Sequence, residues 1–322
     1  MVRDTADPGA APPRKAAPSP LKPLRHRLGT PLCRYLHETL KGPLRLWNAV
    51  VLAAALGLCC LLGAALMWSA IRSAALILVA GYLVLLLAFC LLLLGRMIGR
   101  LNDLQYAITL QNNLQRLPSP PRDFFTEGAA ANPSLQLLLL KCLAFCRPQR
   151  ILELGSGQTT KLLASYHREN PDTYVLTLEQ DERWAELLRP QVSGPGRSPD
   201  YRHRPLSDRM FTCPGLPLRI QTHWFGDVPE LKASQFELIV VDGPDAGGEY
   251  ARSGILEYMP GILGASFVVI FDDAERYGER RTIRVFRQIL RAHGRKFAEF
   301  EVHGVKTQAV FCSPDFRFLQ SV

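Results

Sequence analysis

An α/β architecture, with a doubly wound parallel sheet behind an N-terminal pair of apolar helices, is the fold class that this 322-residue sequence predicts. Three observations predict it. Two long stretches near the N-terminus carry no charge. Strand-like and helix-like segments alternate from about residue 133 onward. The first of those strands runs straight into Gly155-Ser156-Gly157, where a helix begins.

The apolar stretches come first. Trp47 to Ile71 and Ser73 to Gly95 are uncharged and separated only by Arg72. About 20 helical residues at roughly 1.5 Å each cross the ~30 Å hydrocarbon core, and each stretch is longer than that. A helix buried in a soluble domain keeps a polar stripe, yet here Leu, Ala, Val, Cys and Gly occupy every face, as in Leu83 to Leu94. A transmembrane hairpin over residues 46–95 is expected, too deep in the chain and too long for a cleaved signal peptide. Basic residues gather ahead of the first stretch (Arg3, Arg14, Lys15, Lys22, Arg25, Arg27, Arg34, Lys41 and Arg45), and Arg96 and Arg100 follow the second. Both termini are therefore expected in the cytoplasm. The formal net charge of +9 is mainly this juxtamembrane excess, so anionic membrane lipid is the expected partner and nucleic acid is not.

Residues 1–45 are Pro-rich and basic and are expected to be disordered. Leu101, Leu104, Ile108 and Leu114 recur at helical spacing, giving a connector helix and linker over 96–123. The remaining domain, 124–322, is read as a helix over Pro133 to Phe145, a strand over Arg150 to Leu154, a helix over Thr159 to Glu169 and a strand over Tyr174 to Leu178. Asp181 then caps a helix reaching Arg189, with Pro190 after it. A short strand is expected near Tyr201 to Leu206, and the segment from there to Trp224 has no legible pattern. Phe236 to Val241 and Ser266 to Phe271 are continuous apolar runs, as in strands covered on both faces. Arg281 to Ala292 is an amphipathic helix, and Lys296 to Cys312 with a turn at His303-Gly304 is a β-hairpin. The eight cysteines form no C-x-x-C pair and read as buried thiols.

Glu153-Leu154-Gly155-Ser156-Gly157-Gln158-Thr159-Thr160 lies where a strand becomes a helix, and glycines there let the backbone approach a ligand. A dinucleotide fingerprint wants a third glycine where Thr160 stands, and Glu153 would repel a pyrophosphate. An acid at that position suits a cofactor bearing a positively charged amino group. The stretch resembles motif I of class I S-adenosylmethionine-dependent methyltransferases, a resemblance covering roughly residues 124–322. It departs at Thr159, where the fuller family pattern has a third glycine. The resemblance implies a Rossmann-like methyltransferase sheet with an added antiparallel strand, supplied by the C-terminal hairpin. It also implies S-adenosylmethionine binding by Glu153, Gly155, Ser156, Gly157, Thr159, Thr160 and Gln180, with Glu179 at the ribose hydroxyls.

Asp242 ends the fourth strand of this reading, and Asp272-Asp273 the fifth, so three carboxylates should share one rim with the cofactor. The arrangement is similar to that of metal-dependent O-methyltransferases. That similarity implies Mg²⁺ held by Asp242, Asp272 and Asp273, with Asp242 and Asp272 serving catalysis. The catechol type carries Asn where Asp273 stands and a Lys soon after its fourth-strand acid, whereas Gly243, Pro244, Asp245 and Ala246 follow Asp242, so no general base is legible. The alternative is that Asp273 caps a turn and pairs with Arg276. His167, His203, His223 and His293 lack partner motifs, and Trp224 and Phe225 suit a core as well as a pocket. The expected function is a membrane-anchored methyltransferase acting on a hydroxyl of a small-molecule or lipid-linked substrate. A membrane-bound binding module without catalysis, and an NAD-dependent enzyme, are the competing classes.

Overall fold

The structure is a computed structural model that describes residues 43–66, 72–121, 124, 131–193, 198–245 and 250–321. The expected tail, the turn between the apolar stretches and parts of three loops lie outside the described residues. By internal contacts the chain divides into two units, Met1–Cys90 and Leu91–Val322.

The first unit holds helix α1, Pro43–Leu66, and the start of α2, Arg72–Leu114. Apolar residues of both are exposed all round, including Leu56, Leu58, Leu83, Leu85 and Leu87. The two helices touch where the Tyr82 hydroxyl donates to the Ala53 carbonyl at 2.9 Å. Gly57 is required there, because a Cβ would lie 2.7 Å from the Tyr82 oxygen. Among the described residues one helix, Leu78–Leu114, is long and apolar enough to cross a membrane. The apolar part of α1, Ala49–Leu61, is shorter, so among the described residues one of the two expected spanning helices meets this measure. The connector is also not a separate helix: α2 runs unbroken for 43 residues, since nothing between Gly95 and Leu114 lacks a backbone donor.

The second unit is built on a seven-stranded sheet. Its strands are β1 Arg150–Leu154, β2 Tyr174–Glu179, β3 Asp200–His203, β6 Phe236–Val241, β7 Leu263–Phe271, β8 Ala298–His303 and β9 Thr307–Cys312. They lie in the order β3-β2-β1-β6-β7-β9-β8, with the first five parallel and β9 antiparallel to both neighbours. Side chains alternate between two cores. Ile151, Val175, Leu238, Val240, Val268 and Ile270 face Leu135, Leu138 and Leu139 of α3 (Pro133–Cys146) and Leu162 and Leu163 of α4 (Gln158–Glu169). Leu152, Leu154, Leu176, Leu178, Ile239, Val241, Val269 and Phe271 share the other core with Ile283, Phe286, Ile289 and Leu290 of α6 (Tyr277–Ala292). Continuous apolar strands are what a sheet covered on both faces requires, and the doubly wound expectation holds.

Three details differ from expectation. The segment without legible pattern is a second, two-stranded sheet, β4 Leu206–Thr212 against β5 Arg219–Phe225, with buried Ile220, Thr222 and Trp224 alternating with exposed Arg219, Gln221 and His223. Trp224 and Phe225 are fully buried core residues. Helix α5, Glu182–Val192, continues through Pro190 instead of ending before it. The packed unit also takes in the helix from Leu91 onward, ahead of the expected start at 124: Leu110 is buried against Leu137 and Leu140.

Candidate functional site

In an open α/β sheet a ligand binds outside the carboxyl ends of the strands, where the strand order reverses. Here that point lies between β1 and β6. A cleft of about 440 Å³ opens there, lined by Gly155, Ser156, Glu179, Gln180, Trp184, Asp242, Gly243, Asp245, Arg252, Asp273, Arg276 and Lys306.

The two turn glycines serve different ends. Gly155 has φ +83°, and a Cβ on it would lie 2.8 Å from the Gly243 nitrogen, so it is fixed by backbone-to-backbone packing between the ends of β1 and β6. Gly157 is extended, with φ 179°, and a Cβ there meets nothing within 4 Å. The fold does not require this glycine; it leaves the backbone open at the start of α4. The Thr160 hydroxyl accepts the Gly157 N–H at 2.8 Å, closing the first turn of the helix.

Glu153 is fully buried behind this turn, where its Oε2 accepts from the Thr177 hydroxyl at 2.9 Å. Burial pushes its carboxyl up to about 7, moderated by hydrogen bonds from Thr159, Thr160 and Thr177. Thr159 and Thr160 are themselves buried, so they support the turn and do not line the cleft. Glu179 does line it, but its oxygens already have four protein donors. The Ser156 N–H and hydroxyl reach Oε2 at 2.9 and 2.6 Å, and the N–H groups of Gln180 and Asp181 reach Oε1, both at 2.8 Å. Across the rim, the Gln180 amide donates to the Asp245 carbonyl at 3.0 Å and accepts the Asp245 N–H at 2.9 Å. Trp184, two residues into the next helix, donates its indole N–H to the Ser156 carbonyl at 3.0 Å and stands over the turn.

The structure brings Asp242, Asp272 and Asp273 together, with one oxygen from each within 4.8 Å of the others. Three cations from the chain itself lie among them. Arg252 is buried, 2.8 Å from Asp273 Oδ2 and 3.3 Å from Asp242 Oδ1, and it donates to the Asp272 carbonyl at 2.7 Å. Lys306, from the β8–β9 turn, lies 3.3 Å from Asp272 Oδ2 and 3.4 Å from Asp273 Oδ1. Arg276 is 3.0 Å from Asp273 Oδ2, the pairing weighed as the alternative to a metal. Gln308 donates to Asp272 Oδ1 at 2.7 Å. A divalent ion needs carboxylate oxygens free of positive partners, and here Asp272 and Asp273 are paired with Lys306, Arg252 and Arg276, leaving Asp242 the most exposed of the three. The donor set therefore does not fit the Mg²⁺ that the resemblance implied, and no step is derived through it. Burial would lower Lys306 and Arg252, but Asp272, Asp273 and Asp242, and for Arg252 also Glu279, outweigh it and hold both charged. Burial and neighbouring Asp272 push Asp242 well above the usual carboxylate range.

Sequence reasoning missed Arg252 and Lys306 because no motif ties either to the acids: Arg252 follows Asp242 by 10 residues across a loop, and Lys306 lies 34 residues beyond Asp272. Arg252 comes from a 3₁₀ segment, Ala251–Tyr258, and Lys306 arrives only when β9 inserts beside β7.

No protein-family model matches the chain, and no curated protein does. Solved structures similar to it are methyltransferases. The O-methyltransferase from Bacillus cereus in complex with SAH is 16% identical, with 65% of this chain and 91% of that one covered at TM-score 0.38. The O-methyltransferase TomG from Streptomyces achromogenes, in complex with SAM, is 14% identical, covering 66% and 89% at 0.38. The SAH-bound methyltransferase PaMTH1 from Podospora anserina is 14% identical, covering 65% and 86% at 0.36. The added antiparallel strand that the motif resemblance implied is present in this chain as β9, between β7 and β8.

Proposed function

We propose that the chain is a membrane-anchored S-adenosylmethionine-dependent methyltransferase that methylates a hydroxyl of a small-molecule or lipid-linked acceptor. The observation that carries this reading is the glycine turn at the switch point, where Gly155 and Ser156 line the cleft and a Cβ on the next residue, Gly157, would meet nothing within 4 Å. The turn is shaped around empty space, next to acids that suit a positively charged cofactor. In this reading the cofactor lies along Gly155, Ser156 and Gly157. Glu179 and Gln180 receive its ribose, Trp184 borders the adenosine side, and buried Glu153 holds the turn through its threonines. The acceptor enters beside Asp242. S-Adenosylmethionine held in this cleft would supply an electrophilic methyl group, and Asp242, whose proton affinity is raised by burial and by Asp272, would take the proton of the acceptor hydroxyl. Asp272 is fully buried and contributes through Lys306 and Gln308, without touching the acceptor.

The long apolar α2, with Arg96 and Arg100 at its membrane exit, supports an anchor that leaves the domain in the cytoplasm; the α1 stretch, paired with α2 at Gly57 and Tyr82, would supply the second pass. One observation favours a binding module without catalysis: the Glu179 oxygens are already filled, so a ribose must displace the Ser156 hydroxyl. Calorimetry with S-adenosylmethionine, S-adenosylhomocysteine and NADH, followed by product analysis with labelled methyl donor, separates the three readings. Binding of the first two with methyl transfer supports the enzyme, binding without transfer to any extract fraction supports the module, and NADH binding alone overturns both.

A further inference from the structure

Beyond the membrane exit, α2 presents two opposite faces. One is used by its own domain. Gly99, Asp103 and Leu110 are buried on it, and Asn102 and Tyr106 are partly so. A Cβ on Gly99 would lie 2.7 Å from the Gly304 carbonyl, Asp103 accepts the Val305 N–H at 3.0 Å, and Asn102 donates to the His303 carbonyl at 3.2 Å. The other face carries Leu94, Met97, Leu101, Leu104 and Ile108, exposed by 53%, 61%, 62%, 58% and 56%. Their spacing alternates three and four residues, the period of a helix that packs along another helix of matching pitch. No charged residue interrupts the row.

Lipid does not account for the whole row. Ile108 lies about 21 Å along the helix from Leu94, at roughly 1.5 Å per residue, whereas the headgroup layer adds only about 5 to 8 Å on each side of the hydrocarbon. Leu101, Leu104 and Ile108 therefore stand in water and call for a protein partner. We infer that this face is a parallel homodimer seam, in which α2 of one copy packs along α2 of a second. The inference rests on the membrane reading, because a shared bilayer and topology make two copies of α2 run parallel and in register. The flanks fit an identical partner. In that register Leu93 of one helix faces Ile98 of the other, an apolar pair, and Arg100 faces Gln105, an acceptor and not a like charge. A row of about two heptads is short for association from free solution, but confinement in one membrane raises the effective concentration of a helix that is already formed. Because the docked face of the same helix grips the β8–β9 turn that bears Lys306, the seam would set two cofactor clefts side by side on one stalk.

The test uses the full chain in proteoliposomes at low protein-to-lipid ratio, with the photo-crosslinker p-benzoylphenylalanine placed singly at Leu101, Leu104 or Ile108, or at Thr109 or Asn113 on other exposed faces. The seam predicts an adduct of twice the 35.9 kDa chain at the first three positions, at least fivefold above the other two, and its loss in Leu104→Glu. Equal yields on all faces, adducts to lipid only, or an intrachain adduct to residues 1–42 would overturn it. Carbonate extraction of the same samples reads the anchor separately. Release of the chain strikes down the membrane reading, while the crosslink pattern alone decides the seam.

Discussion

Arg252 is the sharpest point at which to perturb this structure, because one buried guanidinium holds together acids from three segments. It lies 2.8 Å from Asp273, 3.3 Å from Asp242 and 3.9 Å from Glu279, with 4% of its side chain exposed. Arg252→Met keeps most of the volume and removes the charge. Taking one partner from a buried ion pair costs about 3 to 5 kcal/mol, since the remaining charge is left without compensation. With a urea slope of ~2 kcal/mol per molar, the unfolding midpoint of a fragment covering residues 96–322 should fall by about 2 M at pH 7.5. The pH dependence has a definite sign. Without Arg252 the folded-state pKa values of Asp242 and Glu279, already raised by burial, rise further, so the folded variant binds more protons and its deficit shrinks as pH falls toward 5. Tryptophan fluorescence in a urea series at pH 5 and 7.5 measures both effects. A deficit below ~1 kcal/mol, or one equal at the two pH values, would refute the account of a cluster neutralised by its own cations. So would stabilisation of the unmodified chain by millimolar Mg²⁺ or Mn²⁺.

Two further predictions concern the turn and the domain boundary. Glu153 titrates near 7 when folded and near 4.5 when unfolded, so its contribution is complete below pH 4.5 and is lost as pH rises through 7, on the order of 3 kcal/mol in all. Glu153→Gln should remove that slope and gain on the unmodified chain between pH 5 and 8; parallel stability curves for the two would contradict the buried-acid account. A fragment beginning at Ser119 loses Leu110 and Leu114 from the surface of Leu137 and Leu140, and with them the Asp103 bond to the β8–β9 turn. It should unfold at least ~2 kcal/mol more easily than one beginning at Arg96, as measured by denaturant titration, and equal stability would place the boundary after α2.

The sheet was legible because its central strands are short, apolar and separated by helices whose one-sided patterns survive in a single sequence. The β4–β5 hairpin was not, since its exposed strand face interrupts the apolar pattern with Arg219, Gln221 and His223, and no Asn-Gly or Asp-Gly turn joins the strands. The acids of the site could be placed at strand ends, and they are there. Their neutralisation could not be read, because Arg252 and Lys306 are 21 and 33 residues from Asp273 and meet it only through the 3₁₀ segment and the antiparallel β9. The role of Glu153 shifted for a similar reason. A sequence shows an acid before a glycine turn, but only packing shows that it is sealed behind that turn among Thr159, Thr160 and Thr177.

The central claim is that the space in front of Gly157 belongs to S-adenosylmethionine, and one calorimetric comparison tests it. Gly157→Ala places a methyl group where the fold offers no contact within 4 Å, so the variant should unfold within about 1 kcal/mol of the unmodified chain, the usual cost of Ala at a helix N-cap. Gly155→Ala, at φ +83° and against Gly243, should instead damage the fold itself. The account predicts that the chain binds S-adenosylmethionine and that Gly157→Ala weakens this binding at least tenfold, about 1.4 kcal/mol, with folding intact. Undiminished affinity in Gly157→Ala, or no binding by the unmodified chain, would contradict it.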